Sequence, residues 1–346
     1  MTCTIIAEAG VNHNGSLEQA LALVDAAVDA GADAVKFQTF RAQTVVAPGT
    51  RKADYQLEAT GAGDQLSMIR ALELSEEAHL ALARHCAERG IEFMSTPFDS
   101  WALELLIRVG VRRLKIASGE LTNRPFLQQL AKTRRPLILS TGMATLAEVE
   151  EAIGWLEDAW MNSGAPILAI GMSHPLVVLH CVSNYPANSS DVNLAAIEAM
   201  RRALGYPIGY SDHTAGTEIA FAAVALGAVV LEKHLTLDRS LPGPDHAASL
   251  EPAEFGSMVR GVRLVEAALG DGRKMPREAE LAVRELVRRS VTVRVDLRAG
   301  HRLALEDLDL LRPGTGIPPK DLDRVVGKTV VRDLESGHTL TWSDLK

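Results

Sequence analysis

The sequence predicts an α/β fold: a closed (β/α)8 barrel over residues 1–270, a linker over 271–289 and a small, mostly β domain over 290–346. Three observations lead to this prediction. Short aliphatic runs alternate with helix-length segments up to residue 270, and eight strands with helical crossovers fit a closed barrel better than an open sheet. No GxGxxG motif follows the first run, so the usual signal of an open dinucleotide-binding sheet is missing. After Gly270 the alternation gives way to short strand-like pieces with Gly and Pro turns.

The predicted barrel strands are rich in β-branched or aliphatic residues and lie, in chain order, at Thr4–Ala7, Ala34–Phe37, Glu92–Ser95, Arg113–Ala117, Leu137–Ser140, Val177–Cys181, Ile208–Tyr210 and Val229–Glu232. Helix signals fall between them. Ser16 followed by Gln19 forms a capping box, and Gly31 marks the end of the first helix. Ser75 opens a further helix, which Gly90 closes.

Two segments depart from the alternation. The long gap between Phe40 and Leu74 contains Pro48-Gly49 and predicts an extended loop after the second strand, where long loops usually cover substrate. Beyond the linker, the strand-like pieces are Ser290–Val295, Asp296–Gly300, Arg312–Pro319 and Leu334–Gly337. A module of this size lies near the lower limit for independent folding, so we expect it to need a partner surface.

Composition narrows the possible functions. The chain has 346 residues and a formal charge of −8, which disfavours a nucleic-acid partner because nothing resembles a basic stripe. Cys3, Cys86 and Cys181 are odd in number and lack CxxC spacing, so we expect inert thiols in a reducing compartment. The chain opens directly into a strand, and no apolar stretch is long enough to cross a bilayer. We therefore expect a cytoplasmic protein with no membrane partner.

Two histidines follow consecutive predicted strands. His213 ends the run Gly-Tyr-Ser-Asp-His, His234 ends the run Leu-Glu-Lys-His, and one helix-length segment separates them. Because the strand ends of a barrel meet at one rim, the two imidazoles can hold a divalent metal ion and leave coordination positions open. A single histidine at a strand end more often makes only a hydrogen bond. The pair on adjacent strands favours the metal site.

The other strand ends supply lysines, hydroxyls and carboxylates. These residues are Glu8, Lys36, Gln38, Thr96, Lys115, Ser118, Glu120, Ser140, Ser183, Tyr185 and Ser211. Lysines, hydroxyls and backbone amides on neighbouring strand ends can form a phosphate site without a P-loop. Glu8 and Glu120 suit acid–base work, and the stiff turn at Pro242-Gly-Pro can present Asp245 to a substrate hydroxyl.

Two other functions stay open on these residues alone. A lysine inside an apolar strand can form a Schiff base, so Lys36 or Lys115 would suit a class I-type aldolase, although that chemistry needs no metal. The C-terminal module would also suit a non-catalytic ice- or carbohydrate-binding protein. Such a protein has no reason to keep a polar barrel rim.

Several segments resemble the sialic acid synthase family. They are Ile6–Gly15, Val35–Thr39, Lys115–Glu120, Leu139–Met143, Gly209–His213 and Glu232–His234. The tail, especially Arg312–Gly316, looks like the family's C-terminal antifreeze-like SAF domain, a β-clip fold, and the resemblance covers essentially the whole chain. It implies a transferase that condenses phosphoenolpyruvate with an N-acetylmannosamine-type sugar and water, cleaves a C–O bond and releases phosphate.

The same resemblance implies a role for individual residues. His213 and His234 would hold Mn2+, or alternatively Mg2+ or Co2+, and would be catalytic together with Glu8 and Glu120. The implied substrate-binding residues are Lys36, Gln38, Thr96, Lys115, Ser118, Ser140, Ser183, Tyr185, Ser211, Asp245 and Arg312. Of these, Arg312 would reach from the partner subunit of a homodimer to the N-acetyl group of the sugar.

The acceptor stays open between two sugars. The loop with Ala53-Asp-Tyr-Gln56 and Gln65 differs from the form in several N-acetylneuraminate synthases. It is closer to relatives that use 2,4-diacetamido-2,4,6-trideoxymannose to make N,N'-diacetyllegionaminate. Ser183 also stands where some sialic acid synthases have Asn, which bears on the contact with the substrate carboxylate.

Overall fold

The computed structural model describes residues 2–168 and 174–346, which divide into two compact units, Met1–Gly270 and Asp271–Lys346. The first unit is a (β/α)8 barrel, which confirms the predicted fold class. Its parallel strands lie at Thr4–Gly10 (β1), Ala34–Thr39 (β2), Glu92–Pro97 (β3), Leu114–Ile116 (β4), Leu137–Ser140 (β5), Leu176–Cys181 (β6), Ile208–Asp212 (β7) and Val230–His234 (β8). Hydrogen bonding runs in the order β3-β2-β1-β8-β7-β6-β5-β4. The first and last strands therefore pair, and β3 packs against β4 to complete the ring.

Helices follow the strands along the chain. In the first unit they lie at Leu17–Asp29 (α1), Ala42–Val45 (α2), Asp54–Thr60 (α3), Gln65–Arg70 (α4), Glu76–Arg89 (α5), Ser100–Val109 (α6), Arg124–Lys132 (α7), Leu146–Ser163 (α8), Ala195–Leu204 (α9), Glu218–Ala225 (α10) and Pro252–Leu269 (α11). The predicted caps at Ser16, Ser75 and Gly90 are confirmed: the Ser16 hydroxyl accepts from the Gln19 N–H, Ser75 caps α5, and Gly90 closes it in the left-handed conformation. The capping box predicted at Ser16 is only half formed, because the Gln19 side-chain oxygen has no hydrogen-bond partner. Among the described residues, no helix is both long and apolar enough to cross a membrane.

Inside the barrel, side chains form layers two residues apart along each strand, because successive strand residues point to opposite faces. The first layer is an apolar plug made of six buried side chains: Ile6, Ala34, Met94, Ile138, Leu179 and Val230. Two positions further along five of these strands, the inward residues become polar: Glu8, Lys36, Thr96, Ser140 and Glu232. The plug therefore fills the barrel beneath a layer of buried charges and hydroxyls.

The segment between β2 and α5 is more regular than predicted. Instead of an extended loop it contains the short helices α2, α3 and α4. Local side chains start two of them: the Asp64 carboxylate accepts from the Ser67 N–H at 2.7 Å, and the Gln56 side chain accepts from the Ala53 N–H at 3.0 Å. The prediction failed because these helices are too short to show a helical hydrophobic period.

Residues 290–346 of the second unit form a small, mostly β module, as predicted, but its strands differ from the predicted ones. The second unit contains the helix Glu278–Val287 (α12), which lies within the predicted linker, the antiparallel strands Ser290–Val293 (β9) and Leu308–Leu311 (β10), and the short helix Leu322–Val325 (α13). The segments predicted at Asp296–Gly300, Arg312–Pro319 and Leu334–Gly337 form no ladder. Leu297 and Leu334 meet instead through an isolated bridge. Apolar side chains from β9, β10 and the segments between and after these strands fill the core of this unit.

Candidate active site

Most of the predicted site residues line one cavity of about 430 Å³ at the carboxyl ends of the barrel strands. They are Glu8, Lys36, Gln38, Thr96, Lys115, Ser118, Ser140, Ser183, Tyr185, Ser211, His213, His234 and Asp245. The carboxyl ends of barrel strands are where enzymes of this architecture place their active sites. Residues separated by up to 237 positions in the sequence are thus brought to one rim.

Two predicted site residues lie elsewhere. Glu120 ends the short turn after β4, and its carboxylate accepts a 2.6 Å hydrogen bond from the Asn123 side chain; it is not part of the cavity lining. Its neighbours Ser118 and Gly119 do line the cavity. Arg312 belongs to the second unit, where it is exposed directly after β10.

Four buried charges occupy the centre of the cavity floor. The Lys36 ammonium lies 2.6 Å from the Glu8 carboxylate and 3.6 Å from the Glu232 carboxylate. Glu232 is also 3.6 Å from the Lys115 ammonium, so its carboxylate lies between the two lysines. The Ser211 hydroxyl donates to Glu232 at 2.9 Å. Glu8 and Lys115 are thus connected through Lys36 and Glu232. Because of these contacts, the four groups behave as one coupled electrostatic system.

Burial and mutual contact set the protonation of this cluster. Burial would raise the pKa of Glu232, but the charges of Lys115 and Lys36 hold that pKa well below its usual range. Burial raises the pKa of Glu8, against the opposing effect of Lys36, and the nearby Glu232 raises it further. Burial lowers the pKa of Lys115, partly offset by Glu232. Protonation of Glu8 would therefore leave the cluster with two cations and one anion, which favours binding of an anionic ligand.

Hydroxyl groups and one backbone amide complete this end of the cavity. Lys115 Nζ donates to the Ser140 hydroxyl at 2.6 Å, and the Gly142 N–H donates to the Ser118 hydroxyl at 3.0 Å. A Cβ atom on residue 142 would lie 2.2 Å from the Ser183 hydroxyl oxygen, so any larger residue there would displace that side chain. Ser118, Ser140 and Ser183 line the same cavity as Lys115, and hydroxyl and ammonium groups are donors that phosphate and carboxylate oxygens require.

The two predicted metal ligands lie next to each other at the rim. The ring centroids of His213 and His234 are 5.4 Å apart. His213 Nδ1 is 2.6 Å from the Val182 carbonyl oxygen, so Nδ1 carries the proton and Nε2 keeps a free electron pair. Burial lowers the pKa of His213 to about 4 and that of His234 well below its ordinary value, the latter helped by the neighbouring His213. Both imidazoles are therefore neutral at pH 7.

These histidines fit a divalent metal ion. Neutral imidazole is the form that binds metals, and a carbonyl partner on the other ring nitrogen is typical of a metal-binding histidine. His234 Nδ1 is buried without a hydrogen-bond partner, and its nearest carboxylate oxygen, on Asp245, is 3.9 Å away. No cluster of three or more His, Cys, Asp or Glu side chains with metal-binding geometry occurs among residues 2–168 and 174–346. The described protein would thus supply two nitrogen ligands and leave positions for water or substrate.

Aromatic and apolar side chains form the outer wall of the cavity. Tyr185 packs against His213 with ring centroids 4.2 Å apart, and Tyr55 of α3 packs against Tyr185 at 5.4 Å. Further apolar groups come from the segment between β2 and α5 and from the ends of β1 and β3. We define the outer wall as Val11, Phe40, Met68, Ile69, Leu72 and Phe98.

Sequence reasoning missed Glu232 as a site residue. The residue was named as part of a strand and of the segment Glu232–His234 but was given no role, yet it lies at the centre of the charged cluster. A signal was present: Glu232 precedes His234 by two positions, and strand alternation places both side chains on the same face. The same rule connects Ser211 with His213.

Comparison with known proteins gives consistent matches. The NeuB family model matches residues 23–274 and the SAF domain model matches residues 288–346. The chain is 50% identical over 347 residues to the N,N'-diacetyllegionaminic acid synthase of Legionella pneumophila, covering 100% of this chain and 95% of that protein. It is 42% identical to the synthase of the same name from Campylobacter jejuni, covering 97% and 98% of the two chains. The N-acetylneuraminic acid (sialic acid) synthetase from Leptospira borgpetersenii, solved with citrate, superposes with a TM-score of 0.71 at 35% identity, over 82% of this chain and 90% of that chain.

Proposed function

The chain belongs to the NeuB family and is a nonulosonate synthase; on that premise we propose that it condenses phosphoenolpyruvate with a diacetamido sugar of the legionaminate type. One observation carries the proposal: a two-lysine anion site and a pair of neutral histidines share one barrel cavity. The first suits a phosphorylated carboxylic acid, and the second suits activation of an aldehyde.

The reaction forms one carbon–carbon bond and releases one phosphate. C3 of phosphoenolpyruvate attacks the aldehyde carbon of the open-chain sugar, and the aldehyde oxygen takes up a proton. Water adds at C2, and loss of inorganic phosphate from that carbon, by cleavage of its C–O bond, leaves the ketone of a 2-keto acid. The protein must therefore bind two anionic groups, orient an aldehyde and supply or accept protons.

The charged floor supports the placement of phosphoenolpyruvate. Lys36 and Lys115 would provide the cations, and Ser118, Ser140 and Ser211 the hydroxyl donors, because each of them lines the same cavity. Glu8, whose pKa is raised by burial, is suited to exchange a proton near pH 7. Asp245, with its pKa raised by burial to about 6 against the opposing effect of Lys36, is a second such group at the rim.

His213 and His234 would hold the divalent ion, for which we propose Mn2+. When bound, such an ion polarises a carbonyl oxygen as a Lewis acid. The protein's own contribution is to keep both imidazoles neutral through burial and to fix the His213 tautomer through the Val182 carbonyl. Tyr185, stacked on His213, limits how that ring can turn.

The outer wall supports the diacetamido sugar over N-acetylmannosamine. A 6-deoxy sugar with a second acetamido group presents two methyl groups where N-acetylmannosamine has hydroxyls. Burying a methyl-sized group against apolar side chains contributes about 0.8 kcal/mol. Gln56 and Gln65 also line this part of the cavity and offer amide partners for an acetamido group. The cations that line the cavity are Lys36 and Lys115, and both lie at its floor. The end next to the outer wall is therefore poorly suited to a phosphorylated sugar.

We propose further that the enzyme is a homodimer in which Arg312 reaches the acceptor in the partner's cavity. Its support is chemical: Arg312 is exposed, and a planar guanidinium suits an amide oxygen. Mixing Arg312→Ala protein with His213→Ala protein, each inactive alone, tests the shared site. If the site is built in trans, half of the sites in each mixed dimer carry neither lesion and activity returns. Failure to recover activity after confirmed subunit exchange would contradict this arrangement.

Phosphate release tests the reaction and the acceptor together. The purified protein is given phosphoenolpyruvate, Mn2+ and either 2,4-diacetamido-2,4,6-trideoxymannose or N-acetylmannosamine. We expect kcat/KM to be at least about tenfold higher with the diacetamido sugar, which corresponds to two buried methyl groups. Equal or reversed values would contradict the acceptor, whereas release with neither sugar would contradict the synthase. The His213→Ala protein serves as the control for contaminating phosphatase.

Borohydride trapping separates this reaction from the aldolase alternative. An aldolase would form a substrate-dependent covalent adduct at Lys36 or Lys115, since borohydride reduces a Schiff base. We expect no adduct in the presence of either substrate. The raised pKa of Lys36, caused by Glu232 and Glu8 despite burial, keeps that lysine protonated and unsuited to attack.

A further inference from the structure

Each of the two histidines at the rim directly follows a charged residue whose side chain points to the opposite face of the sheet. Asp212 precedes His213 and Lys233 precedes His234, and Asp212 lies beside Lys233 in the parallel pairing of β7 with β8. Because side chains alternate along a strand, the histidines face the cavity while Asp212 and Lys233 point outward. Most of the outward layer is apolar, and both charged side chains are 0% exposed.

This ion pair is closely tied to the backbone around His213. Lys233 Nζ donates to the Asp212 carboxylate at 2.8 Å and to the Thr214 carbonyl oxygen at 2.5 Å. The other carboxylate oxygen of Asp212 accepts from the Thr214 N–H at 3.0 Å and from its hydroxyl at 2.7 Å. His213 therefore lies between two residues that are both held by Lys233. Its own carbonyl oxygen accepts from the Ala187 N–H at 2.8 Å.

Stabilisation of the fold is a weak reason for such a pair. Two charges removed from water pay a desolvation penalty that their attraction often fails to recover, and apolar replacements of similar volume are frequently neutral or stabilising. The position of the pair is more informative. It joins the last residue of β7 to the residue before His234, and so it links the backbones that carry the two imidazoles.

We propose that Asp212 and Lys233 are positioning residues that set the relative placement of His213 and His234, and thereby the affinity of the rim for a divalent metal ion. The proposal rests on the metal-assisted function proposed above. Groups hydrogen-bonded to metal-ligating side chains typically change metal affinity by about 10- to 100-fold when they are removed, and we expect the same range for this pair. The pair acts through the backbone and touches no substrate.

An apolar replacement of the whole pair tests the proposal. The double variant Asp212→Leu/Lys233→Met keeps the volume of the pair and leaves no unpaired charge. Its matched control is Glu92→Leu/Arg113→Met, which removes another largely buried ion pair of the same barrel, located where β3 begins and just before β4. The free Mn2+ signal in electron paramagnetic resonance gives metal affinity without relying on activity, and thermal denaturation gives stability.

We expect the Asp212/Lys233 double variant to remain folded and to bind Mn2+ about 10- to 100-fold more weakly, while the control variant keeps wild-type affinity. The single variant Asp212→Asn, which keeps the shape and an acceptor for Thr214, covers the case in which the double variant does not fold. We expect it to bind Mn2+ about tenfold more weakly.

Folded variants with wild-type Mn2+ affinity would overturn the positioning role. If the wild type then binds Mn2+ and His213→Ala does not, the metal site itself is supported. Only the positioning role of Asp212 and Lys233 would be rejected. A wild-type protein that binds no Mn2+ would instead overturn the metal site and the positioning role together. Equal weakening in the Glu92/Arg113 control would also overturn the proposal, because the effect would then be general to the barrel.

Discussion

Both units of the chain bury charged or titratable side chains, but they satisfy these groups to different degrees. In the barrel, Glu232 Oε2 and His234 Nδ1 are buried without a hydrogen-bond partner among the described residues. In the second unit, the buried carboxylate of Asp344 accepts from the Thr341 N–H and from the side chains of Thr341, Arg332 and His338.

This difference distinguishes a ligand-binding site from a group of buried side chains that only stabilises the fold. A buried polar atom without a partner costs free energy, so where it also lines a cavity it is suited to a ligand or a water molecule that completes it. A carboxylate surrounded by donors needs no ligand and serves the local fold. Substitutions in the barrel cavity should therefore remove activity and spare stability, whereas those around Asp344 should do the opposite.

The largest effect is expected at the histidines. His213→Ala and His234→Ala should each abolish phosphate release and Mn2+ binding, because each removes one of the two proposed nitrogen ligands, while the circular dichroism spectrum stays unchanged. His85→Ala provides the control, since His85 lies on α5, where it contacts Asp25. Full activity after treatment with a chelator would contradict the metal site.

A smaller loss is expected at the anion site. Lys115→Met should lower kcat/KM for phosphoenolpyruvate by about 10- to 100-fold, because one charge-assisted contact is worth about 1.5–3 kcal/mol. Steady-state kinetics with each substrate varied in turn measures the change, and Lys132→Met on α7 is the surface control. Unchanged KM and kcat for phosphoenolpyruvate would show that the anion site lies elsewhere.

A substitution at Asp344 should change the stability of the second unit rather than the activity. Burial would raise the pKa of Asp344, but hydrogen bonds from Thr341, His338 and Arg332 hold it well below its usual range. The folded state thus binds a proton less readily than the unfolded state, whose pKa is about 3.9. The resulting stabilisation is present above that pH and is lost as the pH falls towards the folded-state pKa.

Asp344→Asn should accordingly lower the stability of the second unit by about 1.5–3 kcal/mol at pH 6 and by less below pH 4. Hydrogen exchange of amides in residues 290–346 of the full chain measures this difference across pH. Phosphate release at 25 °C should stay near wild type if the unit remains folded. A stability difference that grows on acidification would contradict the assigned role.

The smallest effect is expected for an exposed ion pair of the same unit. Arg298 lies 2.7 Å from Asp333, and both side chains are largely in water. Exposed pairs of this kind often contribute nothing measurable. Arg298→Ala should leave both hydrogen exchange and activity at wild-type values. A loss of stability comparable to that of Asp344→Asn would show that exposed ion pairs stabilise this unit as much as a buried, hydrogen-bonded carboxylate does.

Local signals explain which elements could be predicted from the sequence. The Ser16 and Ser75 caps and the aliphatic strand runs depend only on residues that are close in the sequence, so they could be predicted. The placement of His213 and His234 at one rim followed from barrel geometry, because strand ends meet there. Strand β10 was missed, since Leu308–Leu311 is defined by its pairing with β9, which lies 15 or more positions away. The position of Glu120 beside Asn123 likewise depends on a turn whose direction the sequence does not show.

The apolar plug has a kinetic consequence. It fills the barrel beneath Lys36 and Glu232, so a small molecule reaches the charged floor from the rim, past Tyr185 and His213. An acceptor seated against the outer wall would obstruct that path. Phosphoenolpyruvate should therefore bind first and the sugar second, in a compulsory order. An unreactive acceptor analogue would then inhibit uncompetitively with respect to phosphoenolpyruvate and competitively with respect to the sugar.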